Sequence, residues 1–554
     1  MIGVAAASTE QRTAAEFFEL FKTPWTFANE GENYAVMVRT APVAPGAGAD
    51  LCLIFSAALS EVDDGPVDVA PTGSGNATIT YAGHKIPIYG LLATFPSCPA
   101  TLAWDSASGK SAVHAWRVGP KTFVRVGYDL FSEIEHLLTV GQPAAQAAVP
   151  TLELHIALLR DLITRAGVAV VEIPPVPADF EMIACLTHDL DHPAVRNHVF
   201  DHTMLGFLYR ATFGSIARLF SGRMTVRDFA RNWAAAASLP LVYARILPDF
   251  WMRFDRYLEL EAGLGATYFA IPRKGDPGRR RAGLAPGKRA GGYALSQIQP
   301  ALKNISAAGN EVGLHGIDAW LTADDARAER GQLAAVVDET SVGVRMHWLY
   351  FDEDSHAALD EAGFTYDSTV GYNQTVGYRA GTTQVYRPIG ASRLLELPLH
   401  VMDTALFYPS YLALGEDEAF RLVCRMMDSL AQFGGALTIN WHDRSLFPER
   451  LWNRFYARLL QEMKRRKAWF PTAADAVAWF GQRRMAALAC VHLNEDTLAV
   501  NGRVERSGGL PSLRIRVHRP CFRSPEEALA PGASASFLDV KFDKSMEHRI
   551  RISP

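Results

Sequence analysis

Over about 300 residues, from position 180 to position 480, apolar strand-like runs alternate with amphipathic helix-like segments. This alternation is typical of a parallel sheet joined by crossover helices, and a barrel is the commonest closed form at this length. We therefore predict a parallel (β/α) barrel across 176–485. The strand-like runs are Phe180–Thr187, Thr267–Ile271, Glu311–His315, Val342–Trp348, Leu394–Leu399 and Ala436–His442.

Charged and imidazole side chains stand at or just after the ends of several of these runs. Functional residues of parallel barrels lie at the carboxyl ends of the strands. We therefore expect one edge of the sheet to collect Asp189 and Asp191, His315, Arg345 and His347, Asp403, and His442.

The first strand end, within Ile183–Pro193, brings two histidines and two carboxylates together after an apolar run. Asp189 and Asp191 are two residues apart, so in an extended chain they point the same way. Their charges repel unless a cation or a proton lies between them. This pattern indicates a metal site, and a solvated loop with helix-capping aspartates is the alternative.

The regions around the predicted barrel have their own patterns. Residues 1–175 alternate short strands and helices and predict an accessory α/β domain, with a turn at Thr72–Asn76 and no glycine-rich nucleotide loop. Residues 486–554 predict a small β-rich C-terminal domain. Residues 194–250 predict a helical insertion that covers the barrel, and its segment 204–220 could also touch a membrane surface peripherally.

Composition narrows the function classes. A chain of 554 residues is expected to form two or three domains, and a formal net charge of -4 argues against nucleic acid as the main partner. The six cysteines show no Cys-x-x-Cys spacing, which argues against a zinc knuckle or a disulfide framework. No signal peptide or transmembrane run is visible, so we expect a cytoplasmic protein. The basic loop Arg273–Arg289 predicts either a solvated loop or a grip on an anionic substrate.

Five stretches, in order along residues 180–480, resemble the metal-dependent polysaccharide deacetylases, which are carbohydrate esterases of the NodB-homology type. The resemblance implies a distorted parallel (β/α) barrel and a divalent metal, with zinc first and cobalt or nickel as alternatives. The matching stretches are Thr187-His-Asp-Leu-Asp191, Gly313-Leu-His-Gly316, Val344-Arg-Met-His-Trp348, Leu397-Pro-Leu-His-Val-Met-Asp403 and Leu437-Thr-Ile-Asn-Trp-His442.

By position in these motifs, the resemblance implies Asp191 and His315 as metal ligands. The family usually has a second histidine four residues after the first, and this chain has Ala319 there. Asp318 in the same loop, or His347 facing the interior from the next strand, could complete three ligands. We prefer His347, and a site that has lost its metal is the third alternative.

The resemblance also implies the residues that move protons. Asp189 corresponds to the general base, although one more residue separates it from Asp191 than in the usual adjacent pair. Arg345 would pair with Asp189 and keep it ionised, and His442 would protonate the departing amine. Asp403 would hold the tautomer of His442 and raise its pKa.

Together these observations predict a metal-dependent hydrolase that removes an N-acetyl group from a carbohydrate. The expected substrate is an intracellular glycan or a precursor of a surface polysaccharide, with lipid-linked or nucleotide-linked sugars as candidates. A hydrolase of non-sugar amides in the same barrel class, or a catalytically inactive carbohydrate-binding protein, is the alternative.

Overall fold

The computed structural model describes residues 1–42, 46–58, 77–95, 102–337, 342–494, 497–504, 508–519, 536–542 and 546–551. Its contacts divide the chain into two compact units. Residues 1–179, 378–389 and 478–554 form the first, and residues 180–377 and 390–477 form the second. The three-domain division at 175/176 and 485/486 stays a prediction, and the predicted turn Thr72–Asn76 lies outside the described residues.

The helices and strands follow each other along the chain in three stretches. The first holds β1 Ile2–Ala5, α1 Gln11–Phe21, β2 Trp25–Phe27, β3 Asn33–Arg39, β4 Gly48–Phe55, β5 Ala77–Tyr81, β6 His84–Ile88, β7 Ala103–Asp105, β8 Val113–Val118, β9 Lys121–Val126, α2 Leu130–Thr139, α3 Thr151–Arg165 and β10 Val170–Glu172. The second holds β11 Met182–Leu190, α4 His202–Ala211, α5 Phe213–Phe220, α6 Val226–Tyr243, α7 Phe254–Leu260, β12 Thr267–Ala270, β13 Arg279–Arg280, β14 Gly283–Leu284, α8 Leu295–Ala307, β15 Glu311–Gly316, α9 Ala323–Val337, β16 Val344–Met346, α10 Ser355–Glu361, β17 Tyr366–Asp367, β18 Leu395–Glu396, β19 Val401–Met402, α11 Asp403–Phe407, α12 Glu416–Phe433, β20 Ala436–Asn440, α13 Asn453–Arg465 and β21 Ala468–Trp469. The third holds α14 Ala473–Met485, β22 Ala487–Asn494, β23 Thr497–Arg503, β24 Leu513–His518, β25 Phe537–Phe542 and β26 Met546–Arg551.

The first unit is a mixed α/β body. Its six-stranded sheet has the order β2-β1-β3-β4-β9-β8 and is parallel except for the hairpin β8–β9. Smaller antiparallel sheets combine β6-β5-β7, β10-β24-β25 and β22-β23-β26. Helix α3 is buried along most of its length, which suits its many leucines and isoleucines.

One carboxylate of α3 is buried in this unit. Glu153 Oε1 accepts hydrogen bonds from Thr382 Oγ1 at 2.7 Å and from Thr383 N at 3.1 Å. Burial nevertheless raises the pKa of Glu153 to about 7, because a charged carboxylate loses more hydration than these donors replace.

This pKa predicts a pH-dependent stability. An unfolded glutamate loses its proton at lower pH than folded Glu153, so the contribution of Glu153 is present below pH 4.5 and lost as pH rises through about 7. Glu153→Gln should reduce the loss of unfolding free energy between pH 5 and pH 8 by on the order of 3 kcal/mol. Urea unfolding of both proteins at the two pH values measures it, and identical pH dependence would contradict the assignment.

The second unit is organised on a parallel sheet with the order β18-β17-β16-β15-β12-β11-β20-β19, and β21 also pairs with β11. Every residue of the central strand β11 is buried, as expected for a parallel strand covered on both faces. The strand extends beyond the predicted end at Thr187, because its pairing with β12 continues to Leu190. Asp189 therefore lies on the strand itself.

The sheet is a curled half-barrel. This is consistent with the predicted distorted barrel, and among the described residues the end strands β18 and β19 do not pair with each other. Both are two residues long. The predicted strand Leu394–Leu399 shortens to β18, and Pro398, which has no backbone donor, follows it.

The insertion between β11 and β12 is largely helical in the structure. Its segment 204–220 consists of α4 and α5, which are separated at Thr212. Apolar side chains of this segment are exposed, among them Phe213 and Phe220. In the described part of the chain, every helix is too short or too polar to cross a membrane.

Candidate active site

Asp189, near the end of β11, has a buried carboxylate surrounded by donors. Arg345 Nη1 lies 3.1 Å from its Oδ1, and Asn440 Nδ2 donates to its Oδ2 at 2.7 Å. Burial alone would raise the pKa of Asp189, but His315 and Arg345 lower it. The group is therefore an ionised carboxylate held in one orientation.

Arg345 is fully buried, and all three nitrogens of its guanidinium donate hydrogen bonds. Besides Asp189, it donates to Thr187 Oγ1 at 2.7 Å, to Ser368 O at 3.0 Å and to Ser368 Oγ at 2.8 Å. Its Cζ also lies 4.6 Å from the ring centroid of Phe269. A cation with this many partners fixes the position of Asp189 rather than moving with solvent.

His315, on the neighbouring strand β15, has a defined tautomer. Its Nδ1 lies 2.9 Å from the carbonyl oxygen of Arg345. Because a carbonyl can only accept, Nδ1 donates this hydrogen bond, and Nε2 is the nitrogen that a neutral imidazole would offer to a metal. Nε2 lies 2.9 Å from His347 Nδ1 and 3.2 Å from Asp191 Oδ1.

Asp191, His315 and His347 form a compact group of three. The remaining distance, from His347 Nδ1 to Asp191 Oδ1, is 3.4 Å. Asp191 Oδ1 is buried, and these two imidazole nitrogens are its polar neighbours. Burial alone would raise the pKa of Asp191, but protonated imidazoles lower it, and a cation held by all three atoms would stabilise its carboxylate in the same way.

This group fits a divalent metal. Ligands about 2.0–2.2 Å from a tetrahedral zinc ion lie about 3.3–3.6 Å from one another. The separations of 3.2 and 3.4 Å are near this range, and the two imidazole nitrogens, 2.9 Å apart, would move slightly apart around a metal. Two imidazoles and one carboxylate are also the donors that zinc, cobalt and nickel accept.

His442 follows β20 and is paired with Asp403, the first residue of α11. Its Nδ1 lies 2.6 Å from Asp403 Oδ1, and its backbone N–H donates to Asp403 Oδ2 at 2.8 Å. Burial alone would lower the pKa of His442, but Asp403, Asp191 and Asp189 raise it to about 9. Its other nitrogen, Nε2, lies 3.7 Å from Asp191 Oδ2.

Asp318 is not brought into the group of three. Its Oδ1 accepts from the backbone N–H of Arg279 at 2.8 Å, and its Oδ2 lies 3.3 Å from Arg279 Nε and 3.6 Å from Arg273 Nη1. Ala319 is fully buried beside it. The position four residues after His315 is thus apolar, and His347 is the second imidazole of the group.

Two residues near the group were not predicted as site residues from the sequence. Arg289 comes from the basic loop but is fully buried, and its guanidinium donates to His347 O at 3.0 Å and to Ile317 O at 2.9 Å. Asn440 is the second donor to Asp189. Asn440 could have been predicted from the sequence, because residues two apart on a strand share a face and His442 follows Asn440 at that spacing.

His188 and His192, which flank Asp189 and Asp191 in the sequence, contact other residues. His188 is fully buried, with Nδ1 2.7 Å from Trp441 O and Nε2 3.0 Å from Glu261 Oε1. His192 Nδ1 lies 3.2 Å from His198 Nε2. Neither belongs to the group around Asp191.

A second buried cluster joins His356, Asp367 and Glu396. Asp367 pairs with Val344, the neighbour of Arg345 in the chain, so its side chain points to the opposite face of the sheet. Burial and Glu396 raise the pKa of Asp367 to about 8, so a proton there offsets the repulsion of the two carboxylates at neutral pH. This cluster is separate from the site.

No protein-family model and no curated protein matches the chain. Solved structures similar to it include a Mycobacterium smegmatis protein assigned as a polysaccharide deacetylase, at 18% identity and a TM-score of 0.35, which covers 58% of this chain and 99% of that one. The Puue allantoinase matches at 15% identity and a TM-score of 0.33, covering 55% and 92%. A probable polysaccharide deacetylase from Pseudomonas aeruginosa PAO1 matches at 16% identity and 0.35, covering 55% and 93%. At these identities and TM-scores the likeness carries no functional argument, and only the residues of the site bear on the reaction.

Proposed function

We propose that the chain is a metal-dependent hydrolase that removes an N-acetyl group from a carbohydrate. The observation that carries this proposal is the convergence of Asp191, His315 and His347, with Asp189 Oδ2 3.7 Å from His315 Nε2 and His442 Nε2 3.7 Å from Asp191 Oδ2. Metal-dependent amide hydrolysis needs three things: ligands for the metal, a general base and a general acid. The group of three supplies the ligands, with a carboxylate base and an imidazole acid next to it.

Asp191, His315 and His347 would hold the cation. When bound, a divalent metal supplies Lewis acidity, which polarises an amide carbonyl and acidifies water. The Arg289 guanidinium donates to the backbone carbonyl of His347, and the backbone carbonyl of Arg345 accepts from His315 Nδ1. Each contact holds one of the two imidazoles in place.

In the proposed reaction Asp189 accepts a proton from the attacking water, and a bond forms between the water oxygen and the acetyl carbon. Arg345 and Asn440 keep Asp189 ionised and oriented for this transfer. The bond between the acetyl carbon and nitrogen then breaks. His442 gives its own imidazolium proton to the amine nitrogen, so the products are a free amino sugar and acetic acid, which ionises to acetate. Asp189 then loses the proton it took from water, and His442 regains one, which restores the starting state.

The substrate is proposed as an N-acetylated sugar, with lipid-linked and nucleotide-linked precursors as candidates. The same bond changes would hydrolyse a non-sugar amide, because the ligand group and the two proton carriers act only on the amide. A cytoplasmic location stays a prediction.

The test is acetate release by the purified full chain loaded with zinc, cobalt or nickel. N-acetylated oligosaccharides and nucleotide-linked N-acetyl sugars are the first substrates, and a panel of non-sugar amides runs in parallel. We expect chelation to lower the rate by at least about a hundredfold and metal return to restore it.

Stoichiometric metal without acetate release from any sugar would overturn the proposal. Hydrolysis of non-sugar amides alone would move the chain to that class, and sugar binding without turnover would make it an inactive carbohydrate-binding protein.

A further inference from the structure

Outside the proposed active site, the second buried cluster brings together His356 of α10, Asp367 of β17 and Glu396 of β18. His356 Nε2 lies 3.7 Å from Asp367 Oδ2 and 3.6 Å from Glu396 Oε2. Both carboxylates are fully buried, and His356 is 9% exposed. Two acids and one imidazole therefore face one another from three separate elements.

Each carboxylate of the cluster uses one oxygen for a hydrogen bond and turns the other toward His356. Thr369 Oγ1 donates to Asp367 Oδ1, and Val370 N donates to Glu396 Oε1 at 2.8 Å. Asp367 Oδ2 and His356 Nε2 are buried and have no hydrogen-bond partner in the described part of the chain. The 3.7 Å between these two atoms is beyond hydrogen-bonding distance.

His356 does not balance the charge of the two acids. Asp367 and Glu396 are register partners on neighbouring strands, and like charges at such positions destabilise a sheet. Among the described residues, His356 is the only ion-pairing partner within 4.0 Å of Asp367. Burial lowers the pKa of His356, so its imidazole is neutral at neutral pH. Burial and Glu396 raise the pKa of Asp367 to about 8. The two acids therefore hold a proton unless a metal cation replaces it.

The spacing of the three atoms suits a metal cation. Atoms 3.6 and 3.7 Å apart can share one ion about 2.1–2.2 Å from each, the bond length of zinc to imidazole nitrogen and carboxylate oxygen. A gap of this width admits a bare divalent cation but no water molecule, so the ligand atoms of such a site are hidden from solvent. His356 is the member nearest the surface, and rotation of its side chain gives the ion an entry path.

The cluster lies where the parallel sheet has few backbone contacts. Strands β17 and β18 are two residues long, and β17 is paired with β16 only through Asp367 and Val344 in the described part of the chain. An ion bound by α10, β17 and β18 would connect these elements through side chains. Binding to the folded chain alone would stabilise this edge of the sheet.

We propose that His356, Asp367 and Glu396 bind a second divalent cation, zinc or manganese, that holds the β18 edge of the sheet together. Imidazole and carboxylate ligands suit both ions. The inference goes beyond the proposed function, because Asp367 points to the face of the sheet opposite Arg345.

The test counts metal in the purified full chain carrying Asp191→Asn, which removes one ligand of the proposed active site. The protein is stripped with a chelator, reloaded with zinc or manganese in separate samples, and freed of unbound ion. We expect it to retain about one equivalent of one of the two ions and to melt several degrees higher with it. Adding His356→Gln should abolish both effects.

Glu396→Gln, in the same background, keeps an acceptor for Val370 N but removes a charge, so it should lose the same equivalent. His518→Gln is the matched control. His518 is also buried, with Nε2 3.0 Å from Glu172 Oε1, but Arg160 already pairs with that glutamate. Its substitution should leave the metal equivalent and the melting shift unchanged.

Either of two results would overturn the inference: Asp191→Asn protein that retains neither ion, or an equivalent that persists in folded protein after both His356→Gln and Glu396→Gln. A His356-dependent equivalent in a chain whose wild type releases no acetate would leave this inference standing and remove the proposed function. Acetate release by wild type, with no metal left in Asp191→Asn, would do the reverse.

Discussion

Asp189→Asn is expected to lower kcat/KM for N-acetyl hydrolysis by about 10³-fold, the usual scale for loss of a general base. The substitution keeps the shape of the side chain, but an amide cannot take the proton of the attacking water. Asp189 Oδ2 lies 3.7 Å from His315 Nε2, farther than any separation within the group of three. Metal content should therefore stay close to that of wild type.

The informative comparison is Asp191→Asn. Asp191 belongs to the group of three, so this variant should lose metal and activity together, whereas Asp189→Asn should lose activity alone. Metal analysis and acetate release on the same samples separate the two. Because Asp189→Asn leaves the buried Arg345 without its anion, a lower melting temperature is expected as well. Rates are therefore compared on protein shown to be folded by circular dichroism. If Asp189→Asn retained more than a tenth of the activity, Asp189 would not be the base.

His347→Ala should lower metal affinity by at least about a hundredfold, because it removes one of three converging donors. Acetate release should fall with it. Asp318→Ala is the matched substitution at the alternative ligand, and we expect it to leave metal affinity unchanged, since Asp318 is engaged with Arg279 and Arg273. Titration of each apoprotein with zinc against a competing chelator measures both.

The two variants also distinguish the alternatives raised by Ala319. Loss of metal in Asp318→Ala but not in His347→Ala would reverse the ligand assignment. Wild type that binds no metal under any loading condition would mean that the site has lost it. Neither result depends on knowing the sugar.

The parallel sheet of the second unit could be predicted from sequence because each strand has a local signal. The runs at β11, β12, β15, β16 and β20 are short and apolar, and crossover connections place their carboxyl ends at one edge. Side chains from distant parts of the chain can therefore be predicted to meet at that edge without knowing which residues are in contact. His347 was accessible for the same reason, since it follows β16 at the edge that also holds His315.

Other parts depend on contacts that no local pattern specifies. Arg289 lies in a loop whose charge indicates solvent exposure, yet it is buried because the carbonyls of His347 and Ile317 need donors. The lengths of the end strands β18 and β19, two residues each, are a further example, because hydrophobic runs determine strand ends poorly. In the first unit, β10 pairs with β24, far later in the chain. Such pairing is set by tertiary packing rather than by periodicity.

Arg345 serves the site twice, through two different parts of the same residue. Its carbonyl oxygen fixes the tautomer of His315, and its guanidinium holds Asp189. A substitution at this position removes the guanidinium but keeps the carbonyl, because every amino acid has one. Under the proposed function, a substitution of Arg345 would therefore impair turnover while the backbone contact that orients His315 remains.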